Sequence, residues 1–340
     1  MNTYQNVIIY QFSGTGNALT GAKWIKEYTY KKNIKTDILA IENIQQILLP
    51  DLRGKTLIGF CYPTHGFAPS WLVIKFMLRF PKIKNADIFF LNTRGAFKIY
   101  KLMIPGLSGL ALWFPVLLFL LKRFKIKGIL PLDMPQNWTS FFPPVNKAAV
   151  NSLVSRSHRI VEEFCQHIFN DKKYFRYSIW ISLIIDISVS PISFLYIFWG
   201  RFFLAKTLYA SYTCDSCRIC EVNCPIHAIT IKNNRPFWKF TCESCMRCMN
   251  ICPANSIQSW VSRIFIFGYL LMIFIVSYLG YSENIWHILF IILFFPFYRL
   301  LFLLLSNKFI NILFTYTSLT KLWNRYFVPN LKFKELKRNQ

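Results

Sequence analysis

Five short apolar runs recur along the first half of the chain: Val7-Ile8-Ile9-Tyr10-Gln11-Phe12, Asp37-Ile38-Leu39-Ala40-Ile41, Thr56-Leu57-Ile58-Gly59-Phe60, Asp87-Ile88-Phe89-Phe90-Leu91, and the stretch from Gly128 to Asp133. Runs this short and this apolar read as buried strands. Helical patterns separate them, from the turn at Ser13 to about Tyr30, from Ser70 to Phe80, and from Val145 to Phe169. Strands alternating with helices predict a doubly wound α/β parallel sheet, whose ligands lie beyond the carboxyl ends of the strands. The residues just past those ends are Tyr62-Pro63-Thr64-His65-Gly66-Phe67 and Asn92-Thr93-Arg94-Gly95.

Other apolar stretches do not fit a soluble sheet. Leu102 to Leu121 carries no charge and ends at Lys122-Arg123, whereas a helix covering an outer sheet face keeps a polar side. Pro105, Gly106, Gly109 and Pro115 argue against a straight span, so the segment reads as a helix embedded in a membrane face, or else as one buried against another segment or subunit. Tyr177 to Ala205 is apolar again, and Pro191 divides it into two half-length helices suited to the membrane interface. Ile264 to Ser282 is uncharged and long enough to cross; Glu283-Asn284 then serves as a turn, and Ile285 to Leu305 returns, interrupted by Pro296 and Arg299. Arg263 and Lys308 flank the ends nearest the domains, which places both termini on the inner side.

Charge sharpens this picture. Hydrophobic residues make up 54% of the 340 and charged ones 16%, yet 40 Lys and Arg stand against 15 Asp and Glu. An apolar chain with a formal charge of +25 suits an anionic membrane lipid surface. Nucleic acid also attracts such charge, but the basic residues are not striped with aromatics, and no nucleic-acid partner is expected. The tail from Ser306 to Gln340 holds seven Lys or Arg against one acid.

Eight of the ten cysteines fall between Cys214 and Pro253. Cys214-x-x-Cys217-x-x-Cys220-x-x-x-Cys224-Pro225 is repeated 28 residues later as Cys242-x-x-Cys245-x-x-Cys248-x-x-x-Cys252-Pro253. Three thiolates two residues apart can wrap one face of an iron–sulfur cube, leaving a fourth iron for a more distant cysteine. Structural zinc sites pair two CxxC knuckles and have no use for a third cysteine and a Cys-Pro ending. Disulfides imply an oxidising compartment, and no secretory signal opens the chain. From about residue 205 to 260 the stretch resembles a bacterial-type ferredoxin domain with two [4Fe–4S] clusters, at all eight ligand positions. That resemblance implies crossed ligation: Cys214, Cys217, Cys220 and Cys252 on one cluster, and Cys242, Cys245, Cys248 and Cys224 on the other.

Strand, then Ser13-Gly14-Thr15-Gly16-Asn17-Ala18, then helix is an arrangement that cradles a phosphate on backbone amides, hydroxyls and the positive helix end. Residues 6–100 and 128–168 resemble a flavodoxin. The resemblance implies an FMN whose phosphate sits on Ser13 to Ala18 and whose ring lies between the loops of Tyr62, Pro63, His65 and Gly66 and of Thr93, Arg94 and Gly95. Tyr62 or Phe67 then stacks on the ring or packs as an ordinary core aromatic, and Arg94 aimed at the ring favours its anionic reduced form. Ala18 stands where the family has a threonine and removes one hydroxyl donor. Cys61 and Cys165 lack partners at ligand spacing and read as core residues. Met134-Pro135-Gln136-Asn137-Trp138 resembles an element of the flavodoxin–ferredoxin fusion proteins of anaerobic bacteria, and the whole chain resembles those fusions with membrane segments added.

The expected organisation is a flavodoxin-like domain over 1–170 with a membrane-associated insertion at 102–121, an apolar interface linker at 171–205, a small α+β ferredoxin domain at 206–262, a transmembrane helical hairpin at 263–306 and a basic cytoplasmic tail at 307–340. The expected role is electron transfer between two [4Fe–4S] clusters and FMN at the cytoplasmic membrane, with both redox domains facing the cytoplasm. Reduction of a quinone or other membrane-soluble acceptor is one alternative; a redox sensor or scaffold with an empty flavodoxin-like domain is another. No nucleophile–base pair and no paired carboxylates stand out, so no catalytic residue is expected. Residues 205 to 260 carry six Lys or Arg against three acids, a surface suited to an acidic soluble ferredoxin or flavodoxin as partner.

Overall fold

The computed structural model describes residues 4–44, 54–100, 102–175, 177–261, 274, 296–323, 325, 326, 328, 329, 331 and 335. The chain forms two compact units: 1–137 with 145–200 and 327–340, and 138–144 with 201–326. The first crossing and the turn of the expected transmembrane hairpin lie outside the described residues.

The larger unit is built on a parallel sheet. Strands β1 (Asn6–Gln11), β2 (Lys35–Ala40), β3 (Thr56–His65), β5 (Ala86–Ile99), β7 (Lys125–Pro135) and the short β8 (Tyr174–Phe175) lie in the order β2-β1-β3-β5-β7-β8. Taken as the five long strands alone, this is the 2-1-3-4-5 order of a flavodoxin-like fold. Registers run Asn6↔Lys35 and Asn6↔Thr56 on the two sides of β1, and Thr56↔Ala86 between β3 and β5. Two strands continue past the sheet into hairpins at its carboxyl end. Thus β3 folds back on β4 (Ala68–Pro69), and β5 on β6 (Leu102–Ile104).

Helices α1 (Asn17–Lys31) and α4 (Lys147–Phe169) pack together on one face of the sheet, and α2 (Trp71–Arg79) and α3 (Leu110–Leu121) pack together on the other. Side-chain caps define the starts of two of them. Ser70 Oγ accepts from Val73 N–H, and Asn146 Oδ1 accepts from Ala149 N–H. The core between α2, α3 and the sheet is aromatic, with Phe60 centred 4.9 Å from Phe119 and 5.2 Å from Phe80. Gly59 leaves room for the Phe89 ring to lie across it.

The uncharged 102–121 segment is therefore a short strand and a twelve-residue helix. α3 buries Ala111, Leu112, Pro115, Val116 and Phe119 against the sheet unit, while Leu117, Leu120 and Leu121 stay exposed. The apolar 177–200 stretch belongs to the same unit, as α5 (Tyr177–Ser188) and α6 (Ser190–Leu195) followed by a π-turn. Its Ile184, Ile187, Leu195, Phe198 and Trp199 are exposed. Asp186 ties α5 to the start of α3: its carboxylate accepts from Ser108 N–H (3.1 Å), Gly109 N–H (2.8 Å) and Trp113 Nε1–H (3.3 Å).

The smaller unit begins its main stretch with the short α7 (Arg201–Ala205) and is built from two antiparallel ribbons. β9 (Leu208–Ala210) pairs with β12 (Ile257–Ser259), and β10 (Ile229–Lys232) with β11 (Arg235–Trp238). Two short helices, α8 (Ile219–Val222) and α9 (Arg247–Ile251), start 28 residues apart. Trp238, Met249, Leu208 and Ile257 centre its core. Among the described residues no single helix is long and apolar enough to cross a membrane. One pair, Pro296–Leu304 and Lys308–Tyr316, passes that test together but bends by 110°.

Candidate metal centres and phosphate-binding turn

The cysteine repeat is also a repeat of backbone conformation. Ser216 and Arg218 (both φ 60°) are matched by Ser244 (φ 49°) and Met246 (φ 61°), and His227 (φ 51°) by Asn255 (φ 48°). Positive φ in non-glycine residues turns each loop tightly enough to face successive thiols inward. Each Cys-Pro cysteine accepts a hydrogen bond from the amide four residues on: Ala228 N–H to Cys224 Sγ (3.2 Å) and Ser256 N–H to Cys252 Sγ (3.3 Å). Ser244 N–H reaches Cys242 Sγ at 3.4 Å.

Thiols of the two motifs are neighbours across the repeats. Cys224 from the first motif lines one cavity with Cys242, Cys245 and Cys248 of the second. Cys252 from the second motif adds its charge to that felt by Cys214, Cys217 and Cys220. All eight are free of disulfides. Among the described residues no three His, Cys, Asp or Glu side chains converge closely enough to hold a single ion. Four thiols holding four separate irons would face a shared space instead of one point. Burial pushes up the thiols of Cys214, Cys217, Cys220, Cys242 and Cys248, Cys220 to about 12, with neighbouring thiols adding to the effect. Positive charge offsets this locally: Arg235 acts on Cys214, and Arg325 on Cys252 and Cys248. Arg325 is held by the carbonyls of Asn255 (2.9 Å) and Ile257 (2.8 Å). Neither arginine is signalled by the cysteine spacing.

In the sheet unit, Ser13 to Ala18 joins β1 to α1 as the strand–turn–helix pattern predicts. Ser13 Oγ accepts from Gly16 N–H at 3.1 Å, and Gly16 caps α1 at φ 104°, a conformation open to glycine. Asn17 Nδ2 donates to Pro135 O (3.1 Å) and Asn137 Nδ2 to Thr15 Oγ1, so the Met134–Trp138 element braces the turn. The turn is wholly buried. A Cβ built on Gly16 would meet Leu331 Cδ2 at 2.5 Å and Val328 Cγ1 at 2.7 Å, so the C-terminal segment lies against the turn. Lys23 pairs with Glu335 alongside. No pattern in the tail signals this contact.

The two strand-end loops are occupied as well. Tyr62 is fully buried and its hydroxyl donates to Ala111 O (2.8 Å), so its ring is a core element beneath α3 and not an open stacking platform. Pro63 is buried beside it, His65 meets Phe12 edge to face at 6.3 Å, and Gly66 (φ 53°) carries the ring of Tyr196 directly on its backbone. Phe67, at φ 61°, accepts from Ser193 Oγ through its carbonyl. Thr93 is buried. Arg94 is committed to Asp133, with Nε–H to Oδ1 at 2.7 Å and the second nitrogen to Oδ2 at 3.2 Å; its charge is thereby paired inside the protein. Gly95 packs against Gln136, whose side-chain amide is buried without a hydrogen-bond partner among the described residues. Cys61 and Cys165 are core residues whose thiols burial pushes far up.

No family model matches the chain, and no curated protein matches it. Among solved structures, the chain is similar to the rubredoxin oxygen:oxidoreductase of Desulfovibrio gigas at 13% identity, over 47% of this chain and 36% of that one, with a TM-score of 0.28. The chain thus spans about a third of that protein's length. Flavodoxin 1 of Bacillus cereus matches at 11% identity over 48% of this chain and 97% of its own, with a TM-score of 0.33. A flavodoxin of Streptococcus pneumoniae TIGR4 matches at 10% identity over 47% and 97%, also at 0.33. The fold assignment rests on the strand order given above.

Proposed function

We propose that this chain is a membrane-associated electron-transfer protein carrying two [4Fe–4S] clusters in its smaller unit and FMN in its sheet unit. The observation that carries the reading is the meeting of free thiols across the two motifs, with Cys224 among the thiols of the second motif and Cys252 beside those of the first. Soft thiolate donors in two sets of four suit iron–sulfur clusters. Such clusters pass one electron at a time, and FMN exchanges one or two. The residues that would hold FMN are Ser13 to Ala18 at the phosphate, with the loops of His65 and Gly66 and of Thr93 and Gly95 near the ring. Their chemistry fits, because hydroxyls, a positive-φ glycine and a helix start converge at one turn.

Membrane attachment at a cytoplasmic face is supported by the exposed apolar side chains of α3, α5 and α6 together with the charge of +25. The excess of basic residues around the cysteine repeat would steer an acidic soluble redox partner. A second reading, a sheet unit that holds no flavin, is favoured by Val328 and Leu331 against Gly16 and by Ala18 in place of a hydroxyl. Anaerobic purification decides between them: iron, sulfide and flavin are assayed per chain, with EPR of the reduced protein. Two four-iron clusters and one flavin are expected; zinc or no metal refutes the proposal, and clusters without flavin leave the second reading.

A further inference from the structure

The smaller unit contains a second feature that the cysteine motifs do not use. A cavity of 810 Å³ opens beside β11 and the Pro296–Leu304 helix; Lys206, Lys232 and Arg299 all line it, and among the described residues no acidic side chain does. Lys206 is 1% exposed. Its ammonium donates to Trp238 O and sits 4.8, 4.5 and 4.5 Å from the ring centroids of Phe237, Phe240 and Tyr298. Lys232 covers the Phe237 ring at 4.6 Å. Among the described residues Lys206 has no carboxylate at ion-pair distance, and an ammonium has three donors, so one backbone carbonyl leaves donor capacity in the cavity wall. Burial also pushes Lys206 down to about 8.

The mouth of the same cavity is apolar. Leu303 lines it and is itself exposed, and it continues a surface of Phe297, Leu300 and Leu304 along the helix. One buried cation, Lys206, two exposed ones, Lys232 and Arg299, at the rim and an apolar ramp beside them describe an amphiphile with an anionic head. We propose that this cavity binds the phosphate headgroup of an anionic lipid, with Lys206, Lys232 and Arg299 around the phosphate and the acyl chains along Leu300 and Leu303. The inference rests on the membrane part of the proposed function and deepens it to a defined site.

The test uses the full chain, anaerobically purified in a zwitterionic detergent, titrated calorimetrically with short-chain phosphatidylglycerol, short-chain phosphatidylcholine and inorganic phosphate. Saturable binding of phosphatidylglycerol at one site per chain is expected, weakened about tenfold in Arg299→Gln, severalfold in Lys232→Gln, and unchanged in Lys308→Gln outside the cavity. Iron content and visible spectrum of each variant report that the unit is still folded. Equal affinity for phosphatidylcholine overturns the proposal, as does a loss that follows Lys308→Gln instead of Arg299→Gln. Inorganic phosphate binding as tightly as the lipid overturns the assignment to a lipid source. Should the protein prove soluble without detergent, the membrane reading fails on its own, while the titration still decides the cavity.

Discussion

Replacing Asp186 by alanine removes the one side chain that closes the amino end of α3. In the wild type its two oxygens accept from Ser108 N–H at 3.1 Å, Gly109 N–H at 2.8 Å and Trp113 Nε1–H at 3.3 Å, and the residue is 0% exposed. Alanine leaves two buried amide donors and the half-buried Trp113 indole without this acceptor, the buried ones costing about 1–3 kcal/mol each, so a total loss of about 3–5 kcal/mol is expected after partial hydration of the space. Asp186→Asn keeps one oxygen for the two backbone amides but turns its own N–H₂ toward the indole donor, for a loss of about 1–2 kcal/mol. The structural consequence reaches the strand ends. Ser108 also meets Asn92, whose Nδ2 donates to Thr64 Oγ1 at 2.6 Å, so the loop held by Asp186 frames both loops of the proposed flavin site. Denaturant titration in detergent, followed by hydrogen exchange at Ser108 and Gly109, measures the effect. Those two amides should exchange fastest in Asp186→Ala and at an intermediate rate in Asp186→Asn, with iron content unchanged. An alanine variant within about 1 kcal/mol of wild type, or an asparagine variant as unstable as alanine, refutes the capping argument.

Crossed ligation makes a sharp pairwise forecast: Cys214→Ser with Cys224→Ser should remove both EPR signals of the reduced protein, whereas Cys224→Ser with Cys242→Ser should remove one. Ligation within each motif would reverse that outcome. Leu331→Asp, or removal of residues 327–340, should tighten FMN binding about tenfold in a flavin-fluorescence titration, because it lifts an apolar cover from the Gly16 turn; unchanged affinity means the segment does not compete. Lys206 is shifted from 10.5 to about 8, so between those values the unfolded chain binds the extra proton and stability should rise with pH. Lys206→Met should flatten that part of the stability profile, and a profile that falls from pH 8 to 10 in wild type contradicts the assignment.

How far the chain could be read in advance depended on whether the relevant physics is local. The apolar runs at 7–12 and 56–60 lie at β1 and β3, because a central strand buried on both faces reads as a continuous apolar run, and the run at 37–41 lies largely in the half-buried edge strand β2. The cysteine repeat was equally legible, and its 28-residue period reappears in backbone angles at 216 and 244 and at 218 and 246. The hairpins β4 and β6 left no trace, since two or three residues carry no period. Apolarity also cannot name its partner. The uncharged 102–121 segment reads as a membrane element, yet Phe119 completes an aromatic core with Phe60 and Phe80, and the outer side with Leu117, Leu120 and Leu121 is what stays exposed.

At the proposed flavin site the limit is sharper, because a binding turn is recognised by the donors it contains and not by what the fold lays over it. Ser13, Thr15 and Gly16 have the right chemistry, but Val328 and Leu331 come from the far end of the chain, and Tyr196 reaches Gly66 from a segment that reads as a linker. Arg94 carries a similar lesson. Facing a flavin it would stabilise a reduced anion, but a charge already held by two hydrogen bonds to Asp133 contributes less to any further anion, since engaging it requires weakening a pair that is about nine-tenths buried. A reduced flavin bound here would therefore gain less from this guanidinium than from an unpaired arginine. On that account Arg94→Lys should disturb the fold around Asp133 and Gly106, whose amide donates to the same carboxylate at 3.0 Å, before it alters the potential of any bound flavin.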